Sequence, residues 1–299
     1  MQGRAAGHAV GAGSGAVPAG AGESPLSMQS GNVAGEPGGP PCAEHRNCAS
    51  LRAMKTLSRN LLVALLPSLM VAAPALAQEP PGIVHFSAGK PGGPFPTGWE
   101  VVKITEQKKP TEYKLVDNGG RTVLAAKADG AATGLAQRLT IDVAKWPVVE
   151  WRWKISRLIE SADNTKQGKE DAPARLVFEF DGDKKKLSFG DRAGLSLAET
   201  ISGREAPYAQ LIYIWSNTAP VGTIIPNPRT GRVQMVVAST GAAGVGAWQS
   251  LSRNLRDDFK RAYGEEPGKV TAYGVLTDTD NTGESVEAWY GDILFKPAP

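Results

Sequence analysis

The chain of 299 residues contains few cysteines and histidines, and this scarcity excludes several kinds of chemistry. Both cysteines, Cys42 and Cys48, precede residue 54, so the remaining chain has neither a disulfide nor a cysteine nucleophile. Only His85 follows residue 77, which excludes a histidine-rich zinc site there and leaves one residue for any Ser-His-Asp triad. We expect His85 to be an ordinary polar residue. No Walker loop, GxGxxG or HExxH motif is present.

An excess of charge of one sign is also lacking. From residue 78 onward the chain has 28 Lys and Arg against 27 Asp and Glu. A chain so close to neutrality has no electrostatic basis for binding nucleic acid or an anionic membrane surface. We therefore expect neither of these partners.

One apolar run, within residues 54–77, is typical of a secretory signal peptide. Lys55 and Arg59 precede the apolar residues 61–73, and Ala75-Leu76-Ala77 forms an A-x-A cleavage site. The run is too short and too interrupted by proline for a membrane span, which needs about 20 apolar residues. A retained N-terminal anchor helix is the alternative. We predict export to the periplasm or the extracellular space, and a mature chain without an integral membrane segment.

Residues 1–53 contain 11 glycines and almost no aliphatic periodicity. Such a segment cannot bury enough apolar area to offset the entropy of the chain. Because a complete signal peptide follows it, we interpret residues 1–53 as an over-extended gene model that precedes the true initiator, Met54. A disordered N-terminal extension is the alternative.

Residues 78–299 are dense in short β-prone runs bounded by turn residues. The run 148–155 alternates, so that Trp151 and Trp153 share its apolar face. About ten such strands, with helices predicted over 187–201 and 252–263, indicate a mainly all-β fold. We predict a single domain, a jelly-roll-like antiparallel β-sandwich with one or two short helices, and expect it to be a monomer.

Oxygen atoms are concentrated in the segment 277–283, which reads TDTDNTG. Alternate positions of a loop can direct several oxygens at one hard cation, and calcium takes six to eight of them. Asp278 and Asp280 are therefore candidate calcium ligands, and calcium is the one cofactor that we consider. The alternative is a β-turn in which Asp and Asn side chains bond to their own backbone.

Tryptophan supplies the second candidate surface, because exposed indole rings can stack on the faces of sugars. Trp151 and Trp153 are expected in the core from the parity of their strand. Trp215 ends a strand and precedes Asn217, and Trp248 and Trp289 lie near loop edges. These three tryptophans are the better candidates for an exposed stacking surface.

Two groups of carboxylates require consideration as catalytic pairs. Glu179 and Asp181 are two residues apart on a predicted strand, about 7 Å on one face. This spacing is also common on solvated sheets. Asp171 precedes the strand that holds Arg175. The two could line a ligand cleft, but an ion pair at the surface is the simpler interpretation.

Several phrases of the chain resemble a known family. They are VVEWRWKI, EDAPARLVFEFD, AQLIYIWSN, RNLRDDFKRAYGEEP and AYGVLTDTDNTGESVEAWYGDILF, which span about residues 84–295. Together they resemble the bacterial secreted family known as domain of unknown function 3047. The resemblance implies a secreted domain of jelly-roll, lectin-like or galactose-binding-like type, and it carries over no catalytic residue. The positions in its distinctive motifs are Asp171, Arg175, Trp215, Asp278, Asp280 and Asn281.

We therefore predict a non-catalytic domain that binds a carbohydrate or a cell-envelope glycan, with Asn217 added to these candidate residues. Two alternatives stay open. A polysaccharide hydrolase or lyase would use Glu179 with Asp181, or Asp171 with Asp278, and these carboxyls would then converge in one cleft. A structural envelope protein would instead scatter the candidate residues over its surface.

Overall fold

The computed structural model describes residues 79–228 and 230–298. The predicted N-terminal extension and signal peptide, residues 1–77, lie outside the described residues, so both stay predictions. Within the described chain, no helix has the length and apolar character needed to cross a membrane.

Two β-sheets stack face to face, which confirms the predicted sandwich. The seven-stranded sheet comprises, in spatial order, β1 (Trp99–Lys103), β4 (Ala132–Ile141), β11 (Val270–Asp278), β6 (Ala172–Phe180), β7 (Ala209–Ser216), β9 (Val233–Thr240) and β8 (Ile224–Pro226). The six-stranded sheet comprises β10 (Gln249–Asn254), β5 (Val148–Ile155), β12 (Ser285–Tyr290), β3 (Thr122–Asp129) and β2 (Glu112–Asp117), with β13 (Leu294–Lys296) also paired to β5. All paired strands are antiparallel except β7 and β9.

Strand alternation determines which side chains fill the space between the sheets. Along β5, residues alternate between buried and half-buried, with Trp151 and Trp153 turned inward as predicted. Tyr213 and Trp215 of β7 enter the same core from the opposite sheet. The rings of Trp151 and Tyr213 stack at 5.0 Å between centroids, and those of Trp153 and Trp215 lie 6.3 Å apart. Aromatic contacts between the layers therefore hold the two sheets together.

Two of the core tryptophans satisfy their indole N–H groups, whereas Trp151 Nε1 is buried without a hydrogen-bond partner. Trp153 Nε1 donates to Ser239 Oγ at 3.0 Å, and Trp215 Nε1 donates to the Gly241 carbonyl at 3.1 Å. These bonds fix the orientation of both rings.

Both predicted helices are present, with shifted ends. Helix α1 (Phe189–Ser202) connects β6 and β7, and α2 (Leu255–Tyr263) follows β10. Helix α2 begins three residues later than predicted, because 252–254 continue β10 beside β5. The Asn254 side chain accepts a hydrogen bond from Asp257 N at 3.1 Å and caps the helix. Gly264, with a φ of 72°, ends it.

Helix α2 is fixed to the sandwich by one buried carboxylate. Asp258 accepts hydrogen bonds from Tyr213 at 2.8 Å and from both Nε and Nη2 of Arg253. Arg261 also contacts it at 2.8 Å. This carboxylate therefore connects α2 to both sheets.

We predict that Trp215→Ala lowers the free energy of unfolding by about 3–5 kcal/mol, because it leaves a cavity between the sheets. Phe189→Ala is the control, since Phe189 is 81% exposed and its loss should cost no more than about 0.5 kcal/mol. Urea denaturation of both variants measures the difference. Equal stability of the two variants would contradict the interlayer role of Trp215.

Candidate functional site

Strand pairing brings the predicted acidic residues together at one end of the seven-stranded sheet. Ala172, at the start of β6, pairs with Asp278, at the end of β11. Asp171 and the loop after Asp278 therefore meet at the same edge. Carboxylate oxygens of Asp171, Asp278 and Asp280 all lie within 4.8 Å of one another. We call these three residues the acidic cluster.

Asp171 anchors the 277–283 loop. Its carboxylate accepts hydrogen bonds from Asn281 Nδ2 at 2.9 Å, and from the backbone N and Oγ1 of Thr282, both at 2.8 Å. The Asp171 residue is 1% exposed. A carboxylate bonded in this way is already satisfied by the protein, so its first role is to hold the loop shape.

The other two carboxylates have basic partners. Arg175 Nη2 lies 2.9 Å from Asp278, and both side chains are more than nine-tenths buried. Arg175 also donates to the Glu170 carbonyl. Lys108, from the segment between β1 and β2, lies 2.7 Å from Asp280. The expected surface pair of Asp171 with Arg175 is thus wrong: Arg175 pairs with Asp278, and the pair is buried.

The pKa values of Asp278 and Asp280 are shifted in opposite directions. Burial raises the pKa of Asp278 above its ordinary value, against the opposing effect of Arg175, and the hydrogen bond to Asp280 raises it further. Burial also opposes ionisation of Asp280, but hydrogen bonds from Asp278 and Lys108 outweigh it and lower the pKa of Asp280. Ionisation is therefore disfavoured at Asp278 and favoured at Asp280.

The three carboxyls of the acidic cluster face two cations, Arg175 and Lys108. A calcium ion would have to displace Lys108, whose side chain is 27% exposed and can turn to solvent. The calcium site therefore stays a prediction.

Two other candidate residues serve the fold. Trp215 is 0% exposed and lies in the core, so the prediction of an exposed ring there is wrong. The reason is its parity with Tyr213, which directs both rings inward. Asn217 donates to the carbonyls of Ile159 and Ala162 at 2.7 and 2.9 Å and fastens a loop. His85 pairs with Glu79 at 2.8 Å.

The catalytic pair Glu179 and Asp181 does not form a shared centre. Glu179 is bound by Arg204 at 2.8 Å and by Gln210 at 3.1 Å. Asp181 lies beyond the end of β6 and accepts a hydrogen bond from the backbone N of Lys269. Both carboxylates have structural partners.

Trp248 and Trp289 lie half-buried around two cations on the outer face of the six-stranded sheet. Lys154 and Trp289 are cross-strand neighbours, and Lys154 Nζ lies 4.2 Å from the Trp289 ring and 5.7 Å from the Trp248 ring. The Arg152 guanidinium lies 4.5 Å from the Trp248 ring. We call these four residues the tryptophan patch.

Local geometry fixes the tryptophan patch. Arg152 and Lys154 alternate with buried Trp151 and Trp153 along β5, so both must point outward. The Arg152 side chain crosses Gly291, where an added Cβ would approach Arg152 Cγ to 2.5 Å. Trp248 Nε1 lies 3.4 Å from Asn118 Oδ1 of the β2–β3 turn. Sequence reasoning identified Trp248 and Trp289 as candidates but not Arg152 and Lys154. The alternation along β5 does place Arg152 and Lys154 together on the face opposite the core tryptophans.

A protein-family model described as "Protein of unknown function (DUF3047)" matches residues 97–294. No curated protein matches the chain. The similar solved structures include the family 30 carbohydrate-binding module of the cellulosomal cellulase Cel9D-Cel44B of Clostridium thermocellum. It is 12% identical with a TM-score of 0.31, and the match covers 62% of this chain and 86% of that one.

A second similar structure is the xyloglucanase domain of NopAA, a type three effector from Sinorhizobium fredii, in complex with cellobiose. It is 8% identical with a TM-score of 0.35, over 76% of this chain and 100% of that one. The carbohydrate recognition domain of Emp47p is 14% identical with a TM-score of 0.33, over 72% of this chain and 94% of that one.

We predict that Asp278 makes the protein less stable as the pH rises from 5 to 8. Its folded pKa lies above the unfolded value of about 3.9, so its stabilising effect is complete below pH 4 and is lost as the pH rises through the folded pKa. The expected slope is on the order of 1 kcal/mol per pH unit. Asp278→Asn, which imitates the protonated acid, should remove this slope.

Asp129→Asn is the control for this titration. Asp129 is exposed and its pKa is lowered, chiefly by the hydrogen bond from Lys109, so it stays ionised in both states above pH 5. Urea denaturation at several pH values measures each slope. A slope unchanged in Asp278→Asn would contradict the raised pKa of Asp278.

Proposed function

Because the chain belongs to the family of proteins of unknown function DUF3047, we propose a function from its own geometry: a non-catalytic domain that binds a glycan on the tryptophan patch. The observation that carries the proposal is the convergence of Trp248 and Trp289 on Lys154. Half-buried indoles provide flat apolar surface for the C–H faces of sugar rings, at low conformational-entropy cost.

The cations of the tryptophan patch favour an acidic glycan. Within the described residues, neither Arg152 nor Lys154 forms an ion pair, and each lies against an indole ring instead. A carboxylate or phosphate group on a sugar would give both cations a partner of opposite charge. Arg152 also offers the fork of donors that matches a carboxylate.

This proposal differs from the two alternatives in its site. A hydrolase would need a carboxyl pair open to substrate, whereas Asp171 and Asp278 are buried and bonded, and Glu179 and Asp181 are separately engaged. A purely structural domain would have no reason to leave two cations without carboxylate partners beside two half-buried indoles. Because residues 54–77 are predicted to be a signal peptide, we propose that binding takes place outside the cytoplasm.

We predict that Trp289→Ala and Trp248→Ala each weaken binding of an acidic polysaccharide such as polygalacturonate by about thirtyfold. This corresponds to about 2 kcal/mol, the usual cost of removing a central indole from an interface. Isothermal titration calorimetry on the chain from residue 78 measures the change, after an array of neutral and acidic glycans has identified the strongest probe.

Phe189→Ala provides the matched control, since this exposed aromatic residue lies on α1, outside the tryptophan patch. It should leave the affinity unchanged. Binding that survives both tryptophan changes, or the absence of binding to every glycan, would contradict the proposal.

The calcium prediction has a separate test at the acidic cluster. We expect calcium to raise the melting temperature of the protein, because an ion that binds only the folded state stabilises it. Lys108→Met should strengthen this effect by removing the cation that competes at Asp280, and Asp280→Asn should abolish it.

Lys109→Met is the control, because Lys109 pairs with Asp129 and lies outside the acidic cluster. The measurement compares melting curves with calcium and with a chelator. If neither the wild type nor Lys108→Met melts differently in calcium and in chelator, the calcium prediction is wrong and the loop is a hydrogen-bonded turn without metal.

A further inference from the structure

An apolar groove of about 490 Å³ lies on the outer face of the seven-stranded sheet, below α1. This volume is in the range of about 300–1,000 Å³ that small-molecule sites occupy. The groove is on the opposite sheet from the tryptophan patch. Nothing in the proposed glycan function uses it. We call it the α1 groove.

The floor of the α1 groove is open because small residues lie along it. On the adjacent strands β4 and β11, Ala136 pairs with Gly274, Gly134 lies opposite Leu276, and Ala272 lies opposite Arg138. Aliphatic side chains form much of the wall, among them Val102, Val177, Leu197, Ile201, Ile212 and Leu276. These walls present apolar surface to a ligand.

The same lining is unsuited to a sugar. Tyr273 is the one aromatic residue along the groove in the described chain, and its ring lies on the inner face, edge-on to Trp99. Its hydroxyl donates to Gln137 within the core at 2.6 Å. The groove therefore has no ring on which a sugar could stack.

Helix α1 leaves its apolar side chains open at the groove. Leu197 and Ile201, one helical turn apart, are 60% and 59% exposed, and both line the groove. Leu195 is the one buried residue of the helix. Exposure of two large aliphatic residues beside a concave apolar surface marks a surface that a ligand can cover.

The charged residues around the α1 groove indicate which polar group a bound ligand would carry. Five basic residues line it, namely Lys103, Lys108, Arg138, Arg204 and Arg232, against one carboxylate, Glu179, and each of the five pairs with a carboxylate. Arg138 is the anchor beside the small residues of the floor, because it lies opposite Ala272 and its pair with Glu100 is more than half exposed on both sides. Such a pair is weak and can exchange for another carboxylate.

We propose that the α1 groove binds a straight-chain fatty acid. The alkyl chain lies on the small residues of β4 and β11 and is covered by Leu197 and Ile201 of α1. The carboxylate binds Arg138 at the rim. This site is independent of the tryptophan patch, so the two proposals succeed or fail separately.

Isothermal titration calorimetry with decanoate, dodecanoate and tetradecanoate, below the concentrations at which they form micelles, tests the site. The affinity should rise about fourfold for each added methylene until the groove is full, as burial of apolar surface requires. Arg138→Gln should weaken binding of decanoate but leave that of 1-decanol unchanged. Leu197→Asp and Ile201→Asp should each weaken decanoate binding about tenfold or more.

Phe189→Asp is the matched control, since it puts the same charge at an exposed apolar position of α1 outside the groove. It should bind decanoate as the wild type does, and its melting temperature reports on the helix. Absence of binding, affinity independent of chain length, or equal loss in Phe189→Asp would overturn the proposal. So would a dimer in sedimentation that Leu197→Asp dissociates, because a second copy would then occupy the groove.

Discussion

The structure depends on the burial of aromatic side chains between two sheets. Trp151 and Trp153 from one layer meet Tyr213 and Trp215 from the other, and the chain from residue 78 has no disulfide to share this task. Because strand side chains alternate, every ring turned inward places its neighbours outward. The packing of the core thereby decides which residues face outward.

This constraint separates two kinds of polar group. Arg152 and Lys154 are outward because their neighbours are core tryptophans, and they meet two indoles on the outer face. Arg175 and Asp278 lie at the end of the other sheet, where strand pairing buries them 2.9 Å apart. A buried pair of this kind is costly to assemble and very sensitive to loss of one partner, so its first effect is to fix the loop.

Sequence reasoning succeeds where the information is local. The β5 alternation that turns Trp151 and Trp153 inward follows from neighbours along the chain. The parity of Trp215 with Tyr213 also favours the inward position, although the place of Trp215 at a strand end predicts exposure. The contact of Lys108 with Asp280, and that of Trp248 with Arg152, join distant segments. No local pattern predicts them, because the register of two sheets determines where loops meet.

The central claim is that ligands meet this domain through Trp248 and Trp289, while the core tryptophans are sealed between the sheets. Nuclear magnetic resonance of the indole N–H groups during titration with an acidic glycan tests it most directly. The account predicts shifts for Trp248 and Trp289, with the signals of Trp153 and Trp215 unmoved. Shifts confined to the core tryptophans, or no shift at saturating glycan, would contradict it.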